Sequence, residues 1–331
     1  MDKPSSAGWD INHRLMNRLK IRHLALLLQI EKLGSLTRVA EAMATSQPSV
    51  TQALAEMEDM FGAPLFERTP RGMNATQQGL LVLERARSML NDIELLQHDM
   101  HALKHGRQAH LHVGLIPYIS GKLVTAATQS VFAQHRPLTL SLHEGLSSDL
   151  IGMLREHALD CVIARVSPKL ATHDLQQHVL YSQQPRLISG RKLAARLGRR
   201  KLDWKVLQGL DWVLGPKHTP IHRQVMDLFL SVGVTPPEAI IETASSKLVG
   251  EFISHNDNAV SIVPAETAED LVRISNVSIV PYSIDWNLAP IALFTRSQGP
   301  TRDVDKAFSQ ALKQLCQTHP ANRSPGSSYF Y

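Results

Sequence analysis

The chain has 331 residues, 43% of them hydrophobic, and carries a formal net charge of +5. This length allows two or three domains with hydrophobic cores, and the small net charge does not by itself locate a surface for a polyanion. Only two cysteines are present, which excludes a disulfide scaffold and a cysteine-rich zinc site. No apolar run approaches the roughly 18 residues of a membrane span, and the polar N-terminus has no signal-peptide core. We therefore expect a cytoplasmic protein with no membrane partner.

The first third of the chain has helical periodicity. One apolar face of the first predicted helix is formed by Ile21, Leu24, Leu27 and Leu28. Gly34 is expected to end that helix, and Ser35 is expected to cap the next one. After a tight break, Ser46 caps a third helix that has Pro48 in its first turn, where a missing N–H does no harm. Two short amphipathic helices joined in this way predict a helix-turn-helix.

The exposed face of the third helix carries short or amide side chains in its first two turns. These residues are Gln47, Ser49, Thr51 and Gln52. Such side chains hydrogen-bond to base edges and phosphates, and recognition helices enter the major groove by their N-terminal turns. The following stretch suits a two-stranded wing around a Pro-Arg-Gly turn, which would bring Arg68 and Arg71 to the DNA backbone. The alternative is a three-helix bundle with an ordinary hairpin and a solvated polar face.

These motifs resemble the winged helix-turn-helix of LysR-type transcriptional regulators. The resemblance covers about residues 18–80 and rests on Gly34-Ser35-Leu36, Arg38-Val39-Ala40, Ser46-Gln47-Pro48-Ser49-Val50-Thr51, Leu65-Phe66-Glu67-Arg68 and Arg71-Gly72. The chain has Leu36 where that family usually has Phe, Val39 where it often has Ala, and Asn74-Ala75-Thr76 where a Leu commonly precedes the Thr. None of these departures removes a presumed DNA contact. The resemblance implies binding of double-stranded DNA through Ser35, Arg38, Ser46, Gln47, Pro48, Ser49, Thr51, Gln52, Arg68 and Arg71.

A long helix is predicted from Thr76 to His105. Its apolar residues recur in a heptad pattern at Ala86, Met89, Ile93, Leu96, Met100 and Leu103. Such a seam is typical of helix pairing, which would let two recognition helices read successive half-sites on a duplex. A single helix lying on its own domain is the alternative. The resemblance likewise implies a linker helix that forms a homodimer, dimers that pair into a homotetramer, and RNA polymerase as an open candidate partner.

From His110 onward, short strands alternate with helices. Strands are predicted near residues 110–115, 138–142, 159–164, 186–189, 212–214, 239–242, 259–263 and 290–295. The alternation indicates parallel sheets with helices on their faces, arranged as two α/β subdomains around a cleft. This body resembles the effector-binding region of LysR-type regulators and, more distantly, periplasmic solute-binding proteins.

The predicted fold class is therefore α plus α/β. It comprises a winged helix-turn-helix at residues 18–76, a linker and dimerisation helix at 77–107, an effector-binding domain like a periplasmic binding protein at 108–318, and a flexible tail at 319–331. Subdomain 1 is expected at about 108–166 and 284–318, and subdomain 2 at about 167–283.

Candidate effector contacts follow from the rule that open α/β sheets bind ligands beyond the carboxyl ends of their strands. The residues at those positions are Tyr118, Ser120, Ser147, Ser148, His218, Thr219, Ser245, Ser246 and Val263. Family effector sites use the positions that Tyr118 and Ser147 match, whereas strand-end geometry alone selects the others. Helix N-termini favour anions, so we expect a small anionic effector, with an aromatic acid as the first candidate. For each serine, plain N-capping is the alternative role.

Other signals are weaker. Sixteen histidines suggest metal binding, but His98, His101 and His105 come closest to a ligand pattern and do not form one, so neither a metal nor a cofactor is expected. No Gly-x-Gly-x-x-Gly, Walker or Gly-x-Ser-x-Gly motif indicates an enzyme. The basic run from Arg191 to Lys205 is interpreted as a solvated helix and turn, with a role in assembly or DNA wrapping as the alternative. The competing functions are a solute-binding protein and an α/β enzyme with a helical dimerisation arm.

Overall fold

The computed structural model describes residues 13–70, 72–104, 109–135, 137–167, 171–286, 288–297 and 302–317. The chain divides into two compact units. The first comprises Met1–His105 and Arg155–Ala158, and the second comprises Gly106–Leu154 and Leu159–Tyr331. None of the helices in the described ranges is long and apolar enough to cross a membrane.

The first unit is a helical domain with one hairpin. After a helical turn at residues 13–18, its elements are α1 (Ile21–Leu33), α2 (Leu36–Ala42), α3 (Gln47–Phe61), β1 (Phe66–Thr69), β2 (Gly72–Ala75) and α4 (Gln77–Lys104). Side chains from all three short helices meet in a core that excludes water, among them Leu27, Ile30, Val39 and Met57. The three-helix core therefore holds α3 so that its opposite face points outward.

Two glycines let backbone segments approach too closely for any side chain. Gly72 in the hairpin has φ +120°, and a Cβ there would lie 2.5 Å from the carbonyl oxygen of Gly34. The next residue, Met73, donates its N–H to that same oxygen at 2.9 Å. In the first turn of α4, a Cβ on Gly79 would lie 1.9 Å from the carbonyl oxygen of Leu65. These contacts dock the hairpin against the end of α1 and the start of α4.

The long helix α4 changes character along its length. Its first half packs on the short helices: Leu83 is buried in their core, and Arg87 forms an ion pair with Glu31 of α1. Ala86 is also buried, with 1% of its surface exposed, so it cannot belong to a free dimer seam as the heptad pattern had predicted. The heptad pattern starts in the part of α4 that packs on the short helices, and for this reason it wrongly included Ala86 in the dimer seam.

The second half of α4 exposes an apolar stripe. Its members are Met89, Ile93, Leu96 and Met100, with exposed fractions of 48, 36, 61 and 52%. Their spacing of four, three and four residues places them on one face of the helix. The side chain of Leu103, the last residue of the predicted seam, lies outside the described part of the chain.

The second unit contains two five-stranded sheets. Their strands are β3 (Ala109–Leu115), β4 (Leu138–Glu144), β5 (Cys161–Arg165), β6 (Leu175–Tyr181), β7 (Pro185–Gly190), β8 (Asp211–Leu214), β9 (Ala239–Glu242), β10 (Ala259–Pro264), β11 (Val277–Ile279) and β12 (Ile291–Arg296). The first sheet has the strand order β4-β3-β5-β12-β6, and the second has the order β11-β7-β10-β8-β9. The helices are α5 (Gly121–Gln134), α6 (Ser147–Arg155), α7 (Arg191–Leu197), α8 (Trp204–Gln208), α9 (Pro220–Ser231), α10 (Ser246–His255), α11 (Ala265–Ile274) and α12 (Asp303–Gln317).

Each sheet is mixed rather than wholly parallel. In the first sheet β3 runs parallel to β4 and β5, whereas β12 is antiparallel to β5 and β6. In the second sheet β10 is parallel to β8 and antiparallel to β7. The antiparallel strands are those next to the places where the chain passes from one sheet to the other. The first passage lies between β6 and β7, and the second lies between β11 and β12.

The expected boundary between the subdomains near residue 167 needs correction. Residues 175–181 form β6, which belongs to the first sheet and not to the second. This strand lies at the sheet edge, and the side chains of Gln176, Gln177 and His178 are exposed. Because the segment has a polar exposed stretch, the hydrophobic alternation that identified the other strands was missing from it. The first passage between the sheets therefore lies at residues 182–184.

Candidate functional sites

The N-terminal turns of α3 hold their polar side chains through local hydrogen bonds. The Ser46 hydroxyl accepts from the N–H of Ser49 at 3.3 Å, and the two hydroxyls are 2.8 Å apart. Gln47 Nε2 donates to Thr51 Oγ1 at 2.9 Å, and that hydroxyl donates to the carbonyl of Gln47 at 3.1 Å. These bonds fix the rotamers of the face while leaving amide and hydroxyl atoms at the surface.

The acidic residues of α3 are used within the domain. Glu58 Oε1 accepts from the N–H groups of Leu65 at 2.8 Å and Phe66 at 3.3 Å, which fixes the start of the hairpin. Asp59 pairs with Arg18 at 3.0 Å. The distal half of α3 is therefore committed to structure, and its N-terminal half is the part whose polar groups remain at the surface.

A shallow groove of about 460 Å³ runs beside this face, lined in part by Ser49, Gln52 and Arg22. Gln52 is exposed, and its Nε2 donates to Glu56 Oε1 at 3.1 Å. Arg22, at the start of α1, is exposed. Arg22 was not among the predicted contacts, because α1 was assigned only a core-forming role; the available signal was a cation next to Ile21 at a solvent-facing position of this helix.

The second unit contains two adjoining cavities, of about 440 Å³ and about 80 Å³. Both are lined by Leu146, Ser147, Arg165, Thr219 and Pro220. The smaller cavity is otherwise mostly apolar, with Ile116, Pro117, Pro216, Ile221 and Ala244 in its wall. Residues of the first sheet and its helices form one side, and residues following β8 and β9 form the other. The cleft thus combines a mostly apolar smaller cavity with a larger cavity that carries polar and charged side chains.

Arg165, the last residue of β5, is a buried charged group that lines both cavities, whereas Arg223 and Asp227 of the larger cavity are exposed. It is 5% exposed, its Nη1 donates to the carbonyl of Ala289 at 2.7 Å, and its Nη2 donates to Gln183 Oε1. Both acceptors are neutral, and no carboxylate in the described ranges forms an ion pair with it. Burial lowers the pKa of Arg165 to about 10, and the nearby Tyr181 only partly opposes this effect. At neutral pH the guanidinium is still charged and is poorly compensated.

Tyr118 follows β3 and has a positive φ of +67°, which is rare for a residue with a side chain. Its carbonyl accepts from Gln183 Nε2 at 2.9 Å, and its hydroxyl lies 3.4 Å from the carbonyl of Thr243. Burial, with a smaller contribution from Glu144, raises the pKa of Tyr118 to about 12, so the hydroxyl remains a donor. Tyr118 therefore links a strand end of the first sheet to one of the second.

Comparison with protein families decides the identity of the chain. The family model for bacterial regulatory helix-turn-helix proteins of the lysR family matches residues 21–80, and the model of the LysR substrate binding domain matches residues 104–317. This chain belongs to the LysR family. It is thus a DNA-binding transcription regulator of the LysR type with an effector-binding domain.

Relatives of similar length support this assignment. The HTH-type transcriptional regulator GbpR of Azospirillum brasilense is 25% identical over 309 residues, which cover 93% of this chain and 90% of that protein. The HTH-type transcriptional regulator PcaQ of Agrobacterium fabrum is 25% identical over 285 residues, covering 85% and 89%. The crystal structure of full-length CbnR complexed with its target DNA has a TM-score of 0.60 at 18% identity, covering 89% of this chain and 99% of that one. At this identity the structural likeness concerns the fold alone.

The DNA-contact residues predicted for this LysR-family chain fall into three groups. On or directly before α3, Pro48 is exposed like Ser46, Ser49 and Gln52, whereas Gln47 and Thr51 are half-buried. Ser35 caps α2 by accepting from the N–H of Arg38 at 3.5 Å, while the Arg38 and Arg68 side chains are exposed. Arg71 lies outside the described residues.

Five of the predicted effector contacts line the cleft: Tyr118, Ser147, Ser148, His218 and Thr219. Thr219 caps α9, accepting from the N–H of His222 at 3.4 Å. Ser147 is the first residue of α6 and not its N-cap, and within the described part of the chain its hydroxyl has no hydrogen-bond partner. The capping alternative therefore fits Thr219 better than Ser147.

The remaining predicted effector residues do not line either cavity. Ser120 is buried and caps α5, Ser245 caps α10, and Ser246 begins α10. The prediction that Val263 contacts the effector was wrong, because this residue is 1% exposed and lies in the hydrophobic core of the second sheet. The strand-end rule failed there because β10 is a central strand with every residue buried up to Pro264.

Arg165, which lines the cleft, and Gln183, which accepts a hydrogen bond from it, were not among the predicted contacts. A signal for Arg165 existed, since a cation ends the otherwise apolar strand Cys-Val-Ile-Ala-Arg at the edge where ligands bind. No comparable signal existed for Gln183, because its importance depends on the passage between the sheets, which the sequence did not locate.

Other sequence features have ordinary surroundings. Among the residues that the structure describes, no group of three or more His, Cys, Asp or Glu side chains is placed to hold a metal ion. Both cysteines are buried, and burial raises the pKa of the Cys316 thiol to about 11. The cations of the basic run are all exposed: Arg191, Lys192, Arg196, Arg199, Arg200, Lys201 and Lys205. Lys192 lies 3.4 Å from Asp257.

Proposed function

We propose that this LysR-type regulator binds operator DNA as a homodimer and responds to a small anion held in the cleft of the second unit. The observation that carries the proposal is Arg165, a buried guanidinium whose acceptors are both neutral. Burying a charge without a counter-charge is unfavourable, so a negatively charged ligand would be strongly preferred at this position. The mostly apolar wall of the smaller cavity favours a ligand whose body is compact and hydrophobic.

The other groups of the cleft suit the same ligand. Ser147 and Thr219 lie at the starts of α6 and α9, where the helix dipole favours negative charge. Tyr118 and His218 add ring contacts on opposite sides of the cleft, which keeps an aromatic acid the first candidate. Ser148 lines the larger cavity, and its hydroxyl donates to Asp149 Oδ1 at 3.0 Å.

For DNA, we assign base contacts to Gln47, Ser49, Thr51 and Gln52 of α3. Phosphate contacts are assigned to the remaining predicted residues, which are Ser35, Arg38, Ser46, Pro48 through its flanking backbone, Arg68 and Arg71. Arg22, which was not predicted, is added to this set. The support is the exposed, locally ordered polar surface of α3 beside a groove that also contains Arg22.

For assembly, we assign the dimer contact to the exposed stripe Met89, Ile93, Leu96 and Met100, with Leu103 as its predicted continuation. The stripe has the four-three-four spacing of a helix that pairs with a copy of itself, and four large apolar side chains are exposed along it. Pairing of dimers into a homotetramer, contact with RNA polymerase and a cytoplasmic location remain part of the proposal. The domain boundaries at residues 76, 107 and 318 also belong to it.

The solute-binding and enzyme alternatives have less support. The helix-turn-helix match at residues 21–80 gives the chain a segment that neither alternative requires. We therefore propose that the cleft binds its ligand without transforming it.

The test is a melting experiment with carboxylates and their neutral amides. Benzoate, acetate and succinate are compared with benzamide and acetamide on the wild type, on Arg165→Gln and on the control Arg273→Gln, which removes an exposed guanidinium paired with Asp270. A ligand at about 100 times its dissociation constant stabilises the folded state by roughly 2.7 kcal/mol. We expect at least one acid to raise the melting temperature of the wild type and of the control but not of Arg165→Gln. Equal shifts in all three proteins, or no shift with any acid, would contradict the proposal.

A further inference from the structure

Gln183 lies where the chain first passes from one sheet to the other, between β6 and β7. It is 3% exposed, and its side chain is bonded at both ends. The amide oxygen accepts from Arg165 Nη2, and Nε2 donates to the carbonyl of Tyr118 at 2.9 Å. Its backbone carbonyl accepts from Trp286 Nε1 at 2.8 Å. One neutral residue thus touches the buried cation, a cleft-lining tyrosine and the second passage between the sheets.

The two side-chain bonds fix which way the amide points. A carbonyl oxygen can only accept, so the group facing Tyr118 must be the NH₂, and the amide oxygen must therefore face the guanidinium. Gln183 consequently orients Arg165 without neutralising it. A glutamate has nearly the same shape and would place a full negative charge at the same atom, turning the contact into a buried ion pair, while its second oxygen could not donate to the Tyr118 carbonyl as Nε2 does.

We propose that Gln183 is a specificity-determining residue of the effector cleft, which keeps the charge of Arg165 available for the carboxylate of a small monoanionic ligand. This inference rests on the proposed function of the cleft and deepens it. Arg165 still has N–H groups without an acceptor among the described residues. A planar carboxylate can accept two parallel bonds from a guanidinium, which a neutral amide ligand cannot match. The proposal therefore predicts that the cleft binds acids more tightly than their amides because the side chain at position 183 is uncharged.

A purely structural role for Gln183 gives different expectations. If the residue only holds the passage together, any substitution should weaken all ligands in proportion to the loss of stability. If it preserves the charge of Arg165, a negative substitution should abolish binding of acids selectively. A neutral substitution should keep the preference for acids over amides, at lower affinity.

The experiment compares the full-length wild type with Gln183→Glu and Gln183→Met by calorimetric titration with benzoate and benzamide, alongside melting curves and binding of operator DNA. For Gln183→Glu we expect benzoate affinity to fall roughly 30-fold or more, because the internal carboxylate occupies the guanidinium, while benzamide affinity changes by less than about threefold. For Gln183→Met we expect benzoate to bind roughly tenfold more weakly than to the wild type and still more tightly than benzamide.

Several outcomes would overturn the inference. One is benzoate binding to Gln183→Glu within about twofold of the wild type. Another is an equal loss of benzoate and benzamide binding in that variant. If Gln183→Glu does not fold, Gln183→Met decides: loss of the preference for benzoate, or unchanged benzoate affinity, contradicts the proposed role. Absence of benzoate binding to the wild type, with no acid of the wider panel stabilising it, refutes the proposed function itself and this inference with it. If benzoate binds to the wild type, any of the other contradicting outcomes refutes the proposed role of Gln183 and leaves the proposed function of the cleft standing.

Discussion

The polar side chains in the first two turns of α3 are bonded to residues within one helical turn, whereas Arg165 is 5% exposed and bonded to residues far along the chain. The surface of α3 proposed to face DNA presents groups that water already solvates in the free protein. The cleft instead holds a charge that its own protein leaves poorly compensated. Under the proposed function, binding at the first surface exchanges water for nucleic acid, while binding in the second supplies a counter-charge to Arg165.

This difference separates how the two regions respond to change. Replacing an exposed polar residue of α3 should alter DNA binding with little effect on folding. Replacing a cleft residue should alter ligand binding and stability together, because buried polar groups depend on each other. Three predictions test how far the two regions are independent, and they run from the largest expected effect to the smallest.

The largest effect is expected from breaking the exposed stripe of α4. Ile93→Asp combined with Leu96→Asp places two charges in the apolar contact, each unfavourable without a partner. We expect loss of the dimer in sedimentation and a fall of roughly 10²–10⁴-fold in operator affinity, because two linked recognition helices bind far better than one. The shift in melting temperature caused by benzoate should persist.

The matched control for the stripe is Leu80→Asp. Leu80 is 57% exposed on the opposite face of the same helix, so its substitution should leave both assembly and operator binding unchanged. A double variant that sediments like the wild type would remove the stripe from the dimer contact. Loss of the benzoate response in the dissociated protein would show that the cleft is not independent of assembly.

The next effect concerns the backbone approach that holds the wing. Gly79→Ala would place a Cβ 1.9 Å from the Leu65 carbonyl oxygen. Neither a Cβ nor a backbone carbonyl can rotate away from such a clash, so the start of α4 must shift. We expect the free energy of unfolding of the first unit to fall by about 3 kcal/mol in denaturant titrations. Gly152→Ala in α6 is the control, since nothing lies within 4 Å of its Cβ, and there a gain of about 0.5–1 kcal/mol is expected. Equal and small effects at both glycines would contradict the close packing of the hairpin against α4.

The smallest effects concern single DNA contacts. Gln52→Ala should weaken binding of the operator by about 1–3 kcal/mol and leave non-specific DNA nearly unaffected, because a base-edge contact is lost. Arg68→Ala should weaken all sequences alike and reduce the slope of log K against log salt by about 1. Fluorescence anisotropy over a range of salt concentrations measures both, and melting curves should be unchanged. An unaltered slope for Arg68→Ala would exclude phosphate contact by that residue.

The sequence predicted the helix-turn-helix well because its determinants are local. Ser35 and Ser46 cap the helices that follow them, and Gly34 adopts the left-handed φ of +63° at the end of α1. Each of these signals lies within a few residues of its structural effect. The turn between α2 and α3 was located, although its use of a positive φ at Ala44 could not be inferred from an alanine.

The cleft was predicted only in outline because its determinants are distant from one another. The positions of Tyr118, Ser147 and Thr219 after strand ends predicted that they line the cleft. The surroundings of Arg165 depend instead on hydrogen bonds to Gln183 and Ala289, which follow it by 18 and 124 residues. Burial of a central strand decides whether a residue such as Val263 faces the cleft or the core. That depends on which strands are neighbours, and strand order in a mixed sheet is not a property of any single segment.

The hydrogen bond from the Trp286 indole to the Gln183 carbonyl joins the two passages between the sheets, and it gives the protein an intrinsic optical reporter. Indole emission moves to longer wavelength when the N–H and ring exchange protein contacts for water. Trp212 belongs to the hydrophobic cluster of the second sheet, and Trp204 packs against that cluster, as Trp286 also does. Of these three, only Trp286 has an indole bonded to the other passage, so its emission should respond most when the sheets change their relative angle. A ligand that rearranges the passages would thus be seen directly in the fluorescence of the unlabelled protein, and stopped-flow mixing would give the rate of that movement.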